Sequence, residues 1–308
     1  MTRQLIQIAD RKVLVVGLGK SGRSAVCFCQ GQGATVAVSE SSSGTPADAA
    51  WLASRGVAAE FGGHSRDFCL WAELILLSPG VPHDLPVFQE ARAKGVPVIG
   101  ELALAPQYLK TPVIAITGTN GKTTVTTLIG ELLKASGYKV VVGGNIGTPL
   151  TDYLQGNQEA DWLVLEVSSF QLDAAGRFHP AIGLLLNLSP DHLDRYPSYE
   201  AYALAKLRLF AHQQQSDVSI INQDDPDTVR LTNGMKDLRP CWATRRCLSF
   251  GHQLQGRHGA EVRGTTVHLL GAWLSTGEEL YGLQGGALAL SPNRENAAAA
   301  IVAARAAG

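Results

Sequence analysis

Short apolar runs alternate with longer amphipathic stretches over the first hundred residues. Lys12–Val16, Ala34–Val38, Leu74–Leu77 and Val96–Ile99 read as strands. A helix-like stretch runs from the glycine turn after Val16 to about Gln32. Strands separated by helices predict parallel pairing with right-handed crossovers. A second unit begins near Glu101, with Pro106 and Pro112 punctuating the connection. Val113–Ile116 is a buried-type strand. From Thr123 to Ser136, Val125, Leu128, Ile129, Leu132 and Leu133 share one helical face, and Gly137 fits the helix stop. Further strands are expected at Lys139–Val142, Trp162–Val167, Ala181–Leu186 and Val218–Ile221. Leu248–Leu283 is richer in Gly and short β-like runs with weak periodicity, and Glu295–Ala307 is an Ala-rich helix. The expected fold is α/β: a Rossmann-like parallel-sheet domain over 1–101, then a central α/β domain over 102–308 built around a P-loop.

The 308 residues suit two domains. With 45 % hydrophobic and 17 % charged residues, the composition is that of a globular chain. Lys and Arg total 26 against 27 Asp and Glu, a net charge of −1, so no global basic field draws nucleic acid or an anionic membrane. The five cysteines (Cys27, Cys29, Cys69, Cys241 and Cys247) form no CxxC pair and read as reduced thiols. Cys27 and Cys29 are expected to be packing residues. No apolar run approaches the ~20 residues that span a bilayer, and Met1–Asp10 lacks a signal-like apolar core. The expected compartment is the cytoplasm, and the expected state a monomer.

Two glycine loops carry the candidate chemistry. Gly17-x-Gly19-x-x-Gly22 follows a strand and opens a helix, a context in which backbone amides hold a diphosphate. Glu40 lies where a ribose-binding acid would sit. NAD(P) and another diphosphate, such as a UDP-sugar, both remain open. The second loop is Thr117-Gly118-Thr119-Asn120-Gly121-Lys122-Thr123-Thr124, again between strand and helix. Gly118 and Gly121 let backbone amides turn toward phosphates, Lys122 supplies a charge for the β/γ-phosphates, and the Thr123 hydroxyl reaches Mg²⁺. The first glycine of the usual P-loop pattern is replaced by Ile116. Glu166, at a strand's C-terminal end, is placed to act as a Mg²⁺-holding acid beside that loop.

The 117–124 loop resembles the form found in the Mur ligase family, ATP-dependent ligases that build the peptidoglycan stem peptide. Gly143-Gly-Asn145-Ile-Gly147, Glu166-Val-Ser168-Ser169-Phe-Gln-Leu172, Asn187-Leu-Ser-Pro-Asp191-His192-Leu-Asp194-Arg195-Tyr196 and Ala205-Lys206-Leu-Arg208 are similar to family blocks and stand in the family order. Gly17–Gly22 and Ser78-Pro79-Gly80 are similar to the UDP-binding domain. The resemblance favours UDP over NAD(P) at the first loop. Within the family, the 166–172 and 187–196 blocks resemble those of the member that adds D-glutamate. The implied reaction joins D-glutamate to UDP-N-acetylmuramoyl-L-alanine through an acyl phosphate, with ATP and Mg²⁺.

On the family pattern, Gly19, Lys20, Ser21, Ser41, Ser42 and Gly80 line the uridine-diphosphate site. Asn145 and Ser168 touch substrate near the transferring phosphoryl group. Gly118 to Thr124 hold ATP, with Asn293 and Asn296 near the adenine, although Pro292 replaces the family's His before that pair. Lys122, Glu166, His192 and Lys206 are the implied catalytic set. Thr123, Glu166, His192 and Lys206 are the implied metal set, the last as a lysine carbamylated by CO₂. The family also has a third domain that carries the D-glutamate pocket, so residues 1–308 alone are expected to be nearly inactive. An NAD-dependent dehydrogenase and a non-catalytic nucleotide-binding fragment are the alternative readings.

Overall fold

In a computed structural model, residues 6–234, 246–254, 256–283 and 286–308 are described. Cys241 and the first five residues of the N-terminal segment lie outside them. The chain divides into two compact units. The first is Met1–Lys110 with Thr148–Gln158 and Phe170–Phe178, and the second is Thr111–Gly147, Glu159–Ser169 and His179–Gly308. The sequence reading drew a single division, at 101/102.

The first unit holds a five-stranded parallel sheet of β1 (Lys12–Val16), β2 (Thr35–Glu40), β3 (Ala58–Phe61), β4 (Leu74–Leu77) and β5 (Val98–Gly100), in the order β3-β2-β1-β4-β5. Val13 to Val16 are all 0 % exposed, as a central strand covered on both faces requires. Chain order reverses at β1, and the crevice at the C-terminal end of such a strand is where open α/β sheets bind ligands. Gly17–Gly22 occupies that position and opens the helix Lys20–Gly31. Gly17 has φ +88°, and a Cβ on Gly22 would lie 1.9 Å from the Gly17 carbonyl oxygen, so the turn demands both glycines.

The two later segments are stitched to this unit through buried polar bonds. Thr151 donates from its amide and its hydroxyl to Glu101 Oε1 at 2.6 and 2.7 Å, and the Ser24 and Thr151 hydroxyls meet at 2.7 Å. Burial pushes the Glu101 carboxyl above its usual range, against the pull of the Thr151 bonds. The Gly100 amide donates to Ala174 O at 2.8 Å.

The second unit holds a nine-stranded sheet: β6 (Val113–Thr117), β7 (Val140–Gly144), β8 (Trp162–Glu166), β9 (Ile182–Leu185), β10 (Val218–Asn222), β11 (Arg246–Gly251), β12 (Gly259–Arg263), β13 (Thr266–Leu270) and β14 (Glu278–Gly282). Their order is β14-β13-β12-β11-β10-β9-β6-β8-β7. Pairing is parallel from β7 to β12 and antiparallel in the last two pairs. The helices Lys122–Ala135 and Asn293–Ala307 pack on each other and share one core with the central strands. Alanines 297–300 and 303, all at most 3 % exposed, permit that close packing.

Several boundaries differ from the expectation. β3 was not read at all, because only a four-residue, half-buried run marks it. The weak 248–283 stretch contains most of β11 and all of β12, β13 and β14. In β13 only Val267 and Leu269 are buried, so its apolar signal is thinned to alternate positions. The sequence around Lys206 reads as helix from Tyr199 to Phe210, whereas the α-helix ends at Leu207 and continues as a 3₁₀ turn, Arg208–Phe210. The last helix starts at Asn293, two residues before the expected start. Among the described residues no helix is long and apolar enough to cross a membrane.

A paired substitution checks the turn. Gly22→Ala forces backbone apart and should cost roughly 2–4 kcal/mol. Gly31→Ala, whose Cβ would meet nothing within 4 Å, should be neutral or stabilise by about 0.5–1 kcal/mol. Urea unfolding of both variants reads the contrast.

Candidate functional site

The first glycine turn presents its residues beside two other loops of the same sheet edge. Gly19, Lys20 and Ser21 follow β1, Ser41 and Ser42 follow β2, and Gly80 follows β4. Glu40 ties the first two loops together. Its carboxylate accepts the Leu18 amide at 2.6 Å, the Ser42 amide at 2.8 Å and the Ser41 hydroxyl at 3.3 Å. Burial opposes its ionisation, but these donors hold its carboxyl below the usual range. Glu40 therefore braces two loops with protein donors, a different task from the ribose contact raised by the dinucleotide reading. Ser78 closes the turn from the β4 side, donating to Gly17 O at 3.2 Å.

In the second unit, β6 ends at Thr117 and the loop turns through two glycines into the helix Lys122–Ala135. Gly118 has φ +154° and Gly121 φ +83°, both in the region that only glycine enters freely. Lys122 Nζ donates to Gly118 O and Thr119 O, each at 2.9 Å. Burial lowers its pKa, while Glu166 and Asp191 act in the opposite sense. The Thr123 hydroxyl donates to Glu166 Oε2 at 2.7 Å. Glu166 closes β8 at 3 % exposure, and its other oxygen accepts Asn145 Nδ2 at 3.2 Å. The Asn145 amide also donates to Glu166 O at 2.8 Å. Ser168 stands two residues beyond Glu166.

Thr119 and Asn120 do not spend their backbone amides on a ligand. These donate to Asn187 O at 3.0 Å and to Asn187 Oδ1 at 2.8 Å. The first-turn amides of Lys122, Thr123 and Thr124 are the donors that a helix start leaves for an anion.

Lys206 reaches the loop from the helix Tyr199–Leu207. At 2 % exposure, its Nζ donates to Gly118 O at 2.9 Å and lies 4.6 Å from the centre of the Tyr202 ring. Burial, with the Lys122 charge adding to it, brings its pKa down to about 7, although Asp191 pulls the other way. Tyr202 was not singled out in the sequence. Its hydroxyl bonds Thr119 Oγ1 at 3.0 Å, and its ring meets the His192 ring edge-on at 6.1 Å. Its signal was its place one helical turn before Lys206. His192 has φ +52°, donates its amide to Asp191 Oδ1 at 2.9 Å, and keeps Nε2 3.6 Å from Asp191 Oδ2.

The two candidate asparagines part ways. Asn296 lies against the loop, since a Cβ on Gly121 would come within 2.5 Å of Asn296 Oδ1. Asn293 turns back to donate to Ala287 O at 3.2 Å.

Among the described residues, no group of three or more His, Cys, Asp or Glu forms a metal cage. The Thr123 hydroxyl and Glu166 carboxylate are hard oxygen donors in mutual contact. That set fits Mg²⁺, which takes one or two protein oxygens and completes its shell with phosphate and water.

Known proteins resemble this chain throughout its length. A family model described as "Mur ligase MurD-like, N-terminal domain" matches residues 11–100, and one described as "Mur ligase middle domain" matches 116–253. The UDP-N-acetylmuramoylalanine–D-glutamate ligase of Koribacter versatilis is 43 % identical over 265 residues, covering 85 % of this chain and 57 % of that protein. The ligase of the same name from Desulfosudis oleivorans is 40 % identical over 305 residues, covering 98 % and 64 %. The chain thus spans somewhat under two thirds of these relatives. Among solved structures, the UDP-N-acetylmuramate:L-alanyl-gamma-D-glutamyl-meso-diaminopimelate ligase from Neisseria meningitides superposes with a TM-score of 0.60, at 19 % identity over 97 % of this chain and 94 % of that one. That likeness establishes the fold. Neither the dehydrogenase nor the non-catalytic reading finds support in these comparisons.

Replacing Lys206 tests its electrostatics. A lysine with its folded pKa near 7 and an unfolded value near 10.5 binds fewer protons when folded between those values. Its penalty is therefore full below about pH 7 and fades as pH rises toward 10.5. Lys206→Met should stabilise the fold at pH 6 by on the order of 3 kcal/mol, a gain that shrinks toward pH 10. Urea midpoints measured across that range read it.

Proposed function

The chain belongs to the Mur ligase family, and from that premise we propose that it carries the UDP-substrate and ATP sites of a ligase joining D-glutamate to UDP-N-acetylmuramoyl-L-alanine. The observation that carries the reading is the 2.7 Å bond between Thr123 and Glu166, beside Lys122 on a strand–loop–helix turn. It gathers a hydroxyl, a carboxylate and an ammonium where a nucleotide's phosphates would lie.

The chemistry explains why that set is needed. A carboxylate is a poor acyl donor, so the substrate carboxylate attacks the γ-phosphate of ATP to give an acyl phosphate. The D-glutamate amine then displaces phosphate. The first step brings two anions together, and charge neutralisation dominates its barrier. Lys122 releases the Gly118 and Thr119 carbonyls and turns its ammonium to the β/γ-phosphates. The amides of Lys122, Thr123 and Thr124 donate to phosphate oxygens at the positive end of their helix. Thr123 and Glu166 hold Mg²⁺, which supplies further neutralisation when bound. Asn145, anchored to Glu166, and Ser168 face the substrate carboxylate. Asn296 positions the nucleoside side of the loop, and Asn293, bonded to Ala287 O, fixes the start of the helix that carries Asn296.

In the first unit, Gly19, Lys20, Ser21, Ser41, Ser42 and Gly80 hold the uridine diphosphate. Their gathering at the C-terminal ends of β1, β2 and β4 supports this role. His192 and a carbamylated Lys206 would hold a second Mg²⁺. The neutral amine attacks CO₂ and loses a proton, leaving an anionic carbamate, and the lowered pKa of Lys206 keeps that amine available near neutral pH. The reaction is placed in the cytoplasm, with a monomer as the acting unit.

Lys122→Ala should weaken Mg-ATP binding about 10- to 100-fold in a calorimetric titration, with the melting temperature nearly unchanged. Absence of Mg-ATP binding by the unsubstituted chain, or NAD⁺ binding in its place, would defeat the reading. Acceptor choice is read by phosphate release with UDP-N-acetylmuramoyl-L-alanine and a panel of amino acids in a form that carries the family's third domain, where D-glutamate should stand out. With ¹³C-bicarbonate, a carbamate resonance should appear in the unsubstituted chain and vanish in Lys206→Arg.

A further inference from the structure

Behind the nucleotide loop runs a short strap, Asn187–Ser189, that no ligand reading has used. It bonds the loop on one side. Thr119 N donates to Asn187 O at 3.0 Å, and the Asn187 amide group exchanges bonds with the Asn120 backbone at 2.8 and 3.0 Å. Ser189 N donates to Thr119 Oγ1 at 3.1 Å, and that hydroxyl lies 3.3 Å from Ser189 O. Residues alternate along an extended segment, so the Leu188 amide between them points the other way. It donates to Asp225 Oδ2 at 2.9 Å.

The same oxygen caps a helix. It accepts the Thr228 amide at 3.1 Å and the Thr228 hydroxyl, with Asp225 immediately before the helix Pro226–Gly234. One carboxylate oxygen thus serves a helix start and the back of the strap. Leu188 is 4 % exposed, so its amide loses more than a surface bond would if the acceptor went. Asn222, three residues upstream, steadies the approach by donating to Leu186 O at 2.8 Å.

We propose that Asp225 is a positioning residue for the nucleotide loop, fixing residues 118–120 through the Leu188 amide and the strap. The functional half of this inference rests on the ATP reading of that loop, while its geometric half does not.

Two substitutions separate capping from strapping. Asp225→Ser keeps an N-cap oxygen but is too short to reach Leu188. Asp225→Asn keeps an acceptor of the original length. In the full chain, Asp225→Ser should speed amide hydrogen exchange across residues 117–121 about tenfold and leave residues 226–234 unchanged. It should weaken Mg-ATP binding about tenfold, while Asp225→Asn stays within about threefold of the unsubstituted chain in both measurements. If Asp225→Ser does not fold, Asp225→Thr, another short capping residue, carries the same expectation. Unchanged exchange at 117–121, loosening spread evenly over the second unit, or equal loosening by Asp225→Asn would overturn the proposal. Faster loop exchange in Asp225→Ser, with no Mg-ATP binding by the unsubstituted chain, would uphold the strap and defeat the ATP reading instead.

Discussion

The carbonyl oxygen of Gly118 accepts hydrogen bonds from two lysines, Lys122 and Lys206, each at 2.9 Å. Two ammonium groups sharing one acceptor repel each other, and burial takes away the water that would screen them. The second unit answers with acidic groups: Glu166 and Asp191 oppose the lowered pKa of Lys122, and Asp191 that of Lys206. The result is a close set of two lysines and two acids around one carbonyl, in which Lys206 gives up its proton near neutral pH and Lys122 remains the cation of the loop. The position of Gly118 between β6 and its helix is what brings them together.

Much of this was legible because the motifs are local. Strand, glycine turn and helix follow one another within 117–124, and the turn's chemistry depends on residue types a few positions apart. Glu166 was legible for a similar reason, since the strand-end position of an acid can be read from its own flanks. The parallel sheet of the first unit and the parallel part of the second followed from the alternation of apolar runs and helices. The family resemblance added the order of blocks that local reading leaves unconnected.

What escaped were partnerships between distant segments. Tyr202 spans Thr119, His192 and Lys206, but on its own helix it is one more aromatic on a buried face. Asn187 was quoted as part of a block, yet its hold on the Asn120 backbone depends on β9 lying beside β6. Glu40 was read from its spacing as a ligand acid, whereas the fold surrounds it with its own amides. β13 and β14 were legible only as short β-like runs, because β13 buries alternate residues alone and β14, at the sheet edge, buries none. In each case the missing information is three-dimensional neighbourhood, which period and composition do not encode.

The first unit is woven from three separate stretches of chain, with Glu101 and Gly100 bonded to Thr151 and Ala174 from the later two. A homologous region ending at residue 100 therefore describes continuity along the gene, while the physical body extends to threads encoded some fifty to eighty codons downstream. Recombination that swapped only the leading stretch between relatives would sever those stitches and strand a buried acid. Inheritance of the two units as a single block is the outcome this weave favours.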